Sequence, residues 1–130
     1  MSWVEIFAAF VVSHLVGDYL LQTDWQARNK RYGLEGDSVQ RRALLSHVVV
    51  YTLTFVPALI FLADDLGAGV IWVAGLIFVP HLIQDDGRLL TWFIVKVKGA
   101  TEATVPEIYT PVDQSFHIVT LFGIALAAGA

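Results

Sequence analysis

Four histidines are spread along the chain at His14, His47, His81 and His117, and three of them share a helical spacing with an aspartate. His14 precedes Asp18, His81 precedes Asp85, and Asp113 precedes His117, each at i, i+4. On a helix that spacing puts both side chains on one face. Imidazole and carboxylate are the ligands with which a chain lacking cysteine can hold zinc, iron or manganese. The candidate ligands are therefore His14, Asp18, His47, His81, Asp85, Asp113 and His117. Seven groups exceed one tetrahedral shell. Either two ions share them, or some carboxylates orient the histidines from behind. A metal-bound hydroxide could attack a phosphoester or an amide, with Asp18 or Asp86 as the general base. The same groups could instead relay protons or pass divalent cations, or simply hold helices together.

The elements that carry these residues are apolar. Hydrophobic residues make up 56% of the 130 residues and charged ones 15%, against about 25% in soluble domains. The mean hydropathy is +0.64. Four stretches, residues 2–23, 43–63, 66–84 and 111–130, each have the length to cross roughly 30 Å of hydrocarbon at 1.5 Å per residue. The expectation is an all-α fold, an integral-membrane four-helix bundle in a single domain, with the lipid bilayer as its surroundings. Pro57 and Pro80 should kink their helices without ending them. Thr110-Pro111 reads as the cap and first turn of the last helix, and Asp64-Asp65-Leu66-Gly67 as a tight turn. Residues 86–98 fit either an extension of the third helix or a segment lying in the interface.

All eight basic residues (Arg28, Lys30, Arg31, Arg41, Arg42, Arg88, Lys96 and Lys98) fall in or beside the connections 24–42 and 86–110. By the positive-inside rule those connections are cytoplasmic and both ends of the chain lie on the other side. Too few and too dispersed, these basic residues form no nucleic-acid footprint. In this topology the order His-x3-Asp inverts to Asp-x3-His where the helix direction inverts. In all three pairs the histidine then lies deeper than its aspartate by about 6 Å, and with His47 the whole set gathers at one level near the cytoplasmic face. Trp3, Trp25 and Trp92 suit the interface, Asp24 suits a cap, and Gln84 and Gln114 suit hydrogen bonds between helices. Arg88 could also meet an anionic headgroup.

A weak repeat accompanies the pattern. His14-Leu15-x-x-Asp18 leads to Trp25 as His81-Leu82-x-x-Asp85 leads to Trp92, eleven residues from histidine to tryptophan in both. A tandem duplication of a helical hairpin would produce it.

The segments HLVGDYLLQTDWQARNK (His14–Lys30), LLSHVVVY around His47 and DQSFH (Asp113–His117) resemble domain-of-unknown-function family 3307, small bacterial membrane proteins. The resemblance spans nearly the whole chain. It implies a multi-helix protein of the bacterial inner membrane and carries no established reaction. The helix-borne His/Asp pattern is also loosely similar to membrane-bound metal-dependent hydrolases and to CAAX-type intramembrane proteases, without the paired glutamates of the latter. The leading expectation is a metal-dependent hydrolase acting on a lipid-like substrate. The alternative is a proton or divalent-cation carrier, which at this length would oligomerise to form a pore.

Overall fold

The computed structural model describes all 130 residues, which are mostly helical and include no strand. Helix α1 (Trp3–Leu15) starts on a capping box in which Ser2 and Glu5 satisfy each other's backbone N–H groups. It continues through a π-helical turn, Val16–Leu20. The expected first helix thus stops three residues short of Thr23, because Thr23 and Gln26 form a second capping box and open α2 (Asp24–Asn29). Asp24 is the first residue of that helix and pairs with Arg28 at 2.9 Å.

Helix α3 (Ser38–Leu53) starts five residues before the apolar run, on an Asp37/Gln40 capping box. Residues 43–63, expected as one kinked helix, are divided between α3 and α4 (Val56–Leu66). Pro57 has no N–H to give the Leu53 carbonyl, so the ladder lapses at Thr54–Phe55. Asp64 and Asp65 close α4 rather than forming a turn, and Asp65 accepts from the amino terminus. The turn lies one step later. Gly67, at φ 54°, leads into a 3₁₀ turn (Gly67–Gly69) and then α5 (Val70–Asp86), which runs on through Pro80. The chain reverses at this turn, since α3 and α4 both pack against α5 and His47 meets His81 at 3.1 Å.

Gly87, at φ 82°, ends α5, and a Cβ there would stand 2.5 Å from the Tyr109 hydroxyl. Helix α6 (Arg88–Trp92) and a π turn (Phe93–Val97) follow and pack against the last helix, with Phe93 edge-on to Phe116. Gly87 therefore separates α6 and the π turn from α5, and residues 88–97 do not extend it. The last helix, α7 (Val105–Ala128), starts with Pro106 in its first turn and not at Thr110-Pro111. Pro111 is carried inside the helix at the loss of one backbone bond.

Helix α1 packs against α4 and α7, and α5 packs against α3, α4 and α7, around a shared interior. At one end that interior is dry, built from Ile6, Phe10, Phe55, Leu62, Ile77 and Leu121. At the other end it is polar. Seven of the buried residues are His14, Asp18, His47, His81, Asp85, Asp86 and His117, while Trp72 is 80% exposed and Ile71 72%. A charged cluster buried at one end of the interior, with large apolar side chains exposed outside, departs from the soluble pattern. Three stretches, Trp3–Leu20, Val56–Asp86 and Val105–Ala128, are long and apolar enough to cross a membrane.

Candidate metal centre

The π turn of α1 re-aims Asp18 towards α3. Its neighbour Gly17 is where α1 touches α3, since a Cβ there would meet Tyr51 Cδ2 at 2.7 Å and the Tyr51 Cα at 3.3 Å. That approach brings Asp18 Oδ1 to 3.2 Å from His47 Nε2 and 3.5 Å from His81 Nε2. From α5, Asp85 Oδ2 lies 2.8 Å from His47 Nε2 and 3.2 Å from His81 Nε2. The two imidazole nitrogens are themselves 3.1 Å apart. Four donor atoms from three elements thus converge, each on a side chain no more than 4% exposed.

An ion held at about 2.0–2.2 Å by four such ligands needs them roughly 3.3–3.6 Å apart, the edge of a tetrahedron. The cis edge of an octahedron is about 3.0 Å at similar bond lengths. Observed separations of 2.8 to 3.5 Å reach both ranges with shifts of a few tenths of an ångström. Asp18, His47, His81 and Asp85 could therefore hold a metal ion. Two carboxylates buried this closely need compensating positive charge. One cation is already present: Lys30 Nζ, from the connection after α2, lies 2.7 Å from Asp85 Oδ2.

A second group, Asp85, Asp113 and His117, adjoins the first. His117 Nε2 faces Asp85 Oδ1 at 3.1 Å, and its Nδ1 donates to the Asp113 carbonyl at 2.7 Å. His14 belongs to neither group, although its type and spacing mark it as a ligand. Gln114 Oε1 accepts from its Nε2 at 2.8 Å and its Nδ1 accepts from the Tyr51 hydroxyl at 3.0 Å, so both nitrogens are engaged. His14 instead buttresses the site, as Gln114 Nε2 also donates to Asp18 Oδ2 at 3.3 Å.

Asp86 turns away. Its Oδ1 accepts from the Leu34 N–H at 2.9 Å and its Oδ2 from Arg88 Nε at 2.7 Å, which pins the loop before α3. Asp86 and then Glu35 push the Arg88 guanidinium further above its already high pKa. No histidine reaches Asp86, so the general-base role expected for it has no geometry here. Asp18 meets the histidines but with an oxygen in the ligand position.

Two participants escape a reading by residue type. Tyr51 lies flat on His81, ring centroids 3.4 Å apart and 4° from parallel, besides bonding His14. It is four residues after His47, on the same face. Lys30 reads as a topology-setting charge, and nothing local signals its contact with Asp85, 55 residues away. Gln84 does bond between helices, to Thr120 at 2.8 Å. On the polar side a cleft of about 40 Å³ opens between Ala27, Lys30, Arg31, Asp85, Tyr109 and Asp113, with the Arg31 guanidinium 3.9 Å above the Tyr109 ring.

The two His-x3-Asp segments occupy parallel places. Each ends a long helical segment, each leads to a short helix bearing Trp25 or Trp92, and each next long helix supplies His47 or His117.

The fold and the buried cluster together define an all-α protein with apolar helices of membrane-crossing length and a candidate metal centre. The chain belongs to the family described as protein of unknown function (DUF3307), whose model matches residues 6–129. No curated protein matches it, and no solved structure does.

Proposed function

We propose that this protein is an integral membrane metalloenzyme, a hydrolase that binds a divalent zinc, iron or manganese ion through Asp18, His47, His81 and Asp85. One observation carries the proposal: four ligand-type atoms, none of which can donate a proton to all the others, converge without water access at metal-ligand spacing. In this reading four segments, α1, α3–α4, α5 and α7, span a bacterial inner membrane. The connections bearing the eight basic residues are cytoplasmic. The large apolar side chains exposed along the helices and the apolar stretches Trp3–Leu20, Val56–Asp86 (which contains the α4–α5 reversal) and Val105–Ala128 support a membrane setting.

The ion would lower the pKa of a bound water to about 7 and polarise an ester or phosphoryl oxygen. The small polar cleft beside Asp85, lined by Lys30 and Arg31, has room for about one water, and a headgroup would need it to widen. A lipid-like substrate suits a centre placed at the boundary between apolar helices and basic connections. A carrier would need a path through the bundle as well as into it. Below the cluster, Phe10 and Phe55 are fully buried and Tyr51, Ile6 and Leu62 are 1% exposed, so the far side is sealed. One-sided access favours chemistry over transport.

The test is product release. Protein purified in detergent and loaded with zinc, iron or manganese is incubated with mixed micelles of bacterial lipids, and freed fatty acid and phosphate are measured by mass spectrometry. Release abolished by a chelator and by His47→Ala is expected. A metal-loaded protein that releases neither, yet shows cation flux in sealed vesicles, would replace the hydrolase with the carrier.

A further inference from the structure

The same centre has a second half that a single ion leaves unexplained. His117 Nδ1 donates to the Asp113 carbonyl, which leaves the lone pair of a neutral His117 on Nε2. That nitrogen points at Asp85 Oδ1, 3.1 Å away, and a carboxylate oxygen is also an acceptor. Neither atom has a hydrogen-bond partner, and each side chain is 1% exposed. With His117 neutral these are two facing acceptors that a cation beside them would satisfy, and with His117 protonated its Nε2 donates to Asp85 across the same 3.1 Å.

Lys30 does not fill that place, because its ammonium meets the other oxygen of Asp85, Oδ2. Apart from Lys30, only the histidines His47, His81 and His117 pair with Asp85. The third group is Asp113, one turn before His117 on α7, whose Oδ1 lies 3.6 Å from His117 Nδ1. Its carboxylate borders the polar cleft on one side. On the other it borders an apolar pocket of about 180 Å³ formed with Leu90, Trp92, Phe93 and Phe116.

We infer that Asp85 is a bridging carboxylate and that a second divalent ion sits on its Oδ1, held also by His117 Nε2 and the Asp113 carboxylate. Asp85 Oδ2 faces the first ion's position among Asp18, His47 and His81, so one carboxylate serves both. Carboxylate-bridged pairs of this kind stand roughly 3.5–4 Å apart. The second ion has only three protein ligands and lies against the cleft, which leaves positions for water and a substrate oxygen. The second ion stands beside the first and is the nearer of the two to the cleft.

This inference rests on the metal reading above, and the experiment separates the two. Chelator-stripped, full-length protein in detergent is titrated with zinc by equilibrium dialysis and with manganese by electron paramagnetic resonance. Two ions per chain are expected, with an exchange-coupled manganese spectrum. His117→Ala, and separately Asp113→Asn at a half-buried position that tolerates exchange, should each lower the count from two to one and abolish the coupling. Saturation at one uncoupled ion per chain overturns the second site and leaves the first intact. Two ions that persist in both variants also overturn it. Binding of no metal at all overturns the metal reading itself.

Discussion

Replacing Gly17 by alanine tests whether the contact between α1 and α3 positions the centre. The added Cβ would stand 2.7 Å from Tyr51 Cδ2 and 3.3 Å from the Tyr51 Cα. Carbon atoms settle at about 3.5–4.0 Å, so one partner must yield by about 0.8 Å. Tyr51 cannot yield easily, because it is 1% exposed, stacked on His81 and bonded to His14. The helix α1 must therefore retreat, and it carries the adjacent Asp18 with it. A retreat of about 0.8 Å would stretch the 3.2 Å separation of Asp18 Oδ1 and His47 Nε2 beyond any tetrahedral edge. Overpacking of this kind costs about 1–3 kcal/mol, and loss of ligand position should weaken metal binding by roughly 10–100-fold, as for other disturbed supporting contacts. The assay is thermal unfolding in detergent together with metal titration against a competing chelator. Gly123→Ala on α7 is the control: its Cβ would meet nothing within 4 Å, and it should change stability by less than about 0.5 kcal/mol. A Gly17→Ala protein that melts and binds metal like the parent would refute the positioning argument.

Further expectations follow from the contacts of individual residues. His14→Ala should keep the metal count but weaken affinity about 10–100-fold, because His14 supports the site through Gln114 and does not ligate; a lost ion in stoichiometric analysis would restore it as a ligand. Lys30→Ala removes the cation that competes for Asp85 Oδ2, so metal affinity should rise several-fold in the same chelator titration, and a fall would contradict the competition. Asp86→Ala strands the Leu34 N–H and Arg88. It should cost about 1–3 kcal/mol in a melting experiment and leave metal content unchanged, whereas a metal-loaded, fully stable and inactive protein would reinstate Asp86 as a base.

The sequence made the site legible through one kind of signal, fixed spacing within a helix. His–Asp pairs at i, i+4 share a face whatever the tertiary packing, and the inversion of their order with helix direction required them to meet. That argument supplied His14, Asp18, His81, Asp85, Asp113 and His117, and His47 was added by its matching depth at the start of its helix. It could not say which nitrogens would be free. His14 is saturated by Tyr51 and Gln114, residues of two other helices, and no local pattern records those contacts. Asp86 sits beside Asp85 but about 100° around the helix, which was enough to send it to a different partner. Lys30 reaches the site only because the connection after α2 folds back over α5.

Helix boundaries followed the same division. The apolar runs located the helices but hid their starts. The Thr23/Gln26 and Asp37/Gln40 capping boxes stand in the polar connections, where they mark α2 and the true beginning of α3. At α7 the chain offers two proline starts, Pro106 and Pro111, and the helix begins at the first, with Tyr109 of the added turn beside Gly87 and Arg31.

The most direct measurement is the metal content of the purified protein. The chain is extracted in mild detergent without chelators, and zinc, iron and manganese are quantified by elemental analysis beside a His47→Ala variant of equal purity and thermal stability. At least about one bound ion per chain is expected, falling to background in His47→Ala. Less than about a tenth of an equivalent of any transition metal, with reloading unable to raise it, would contradict a metal centre at Asp18, His47, His81 and Asp85.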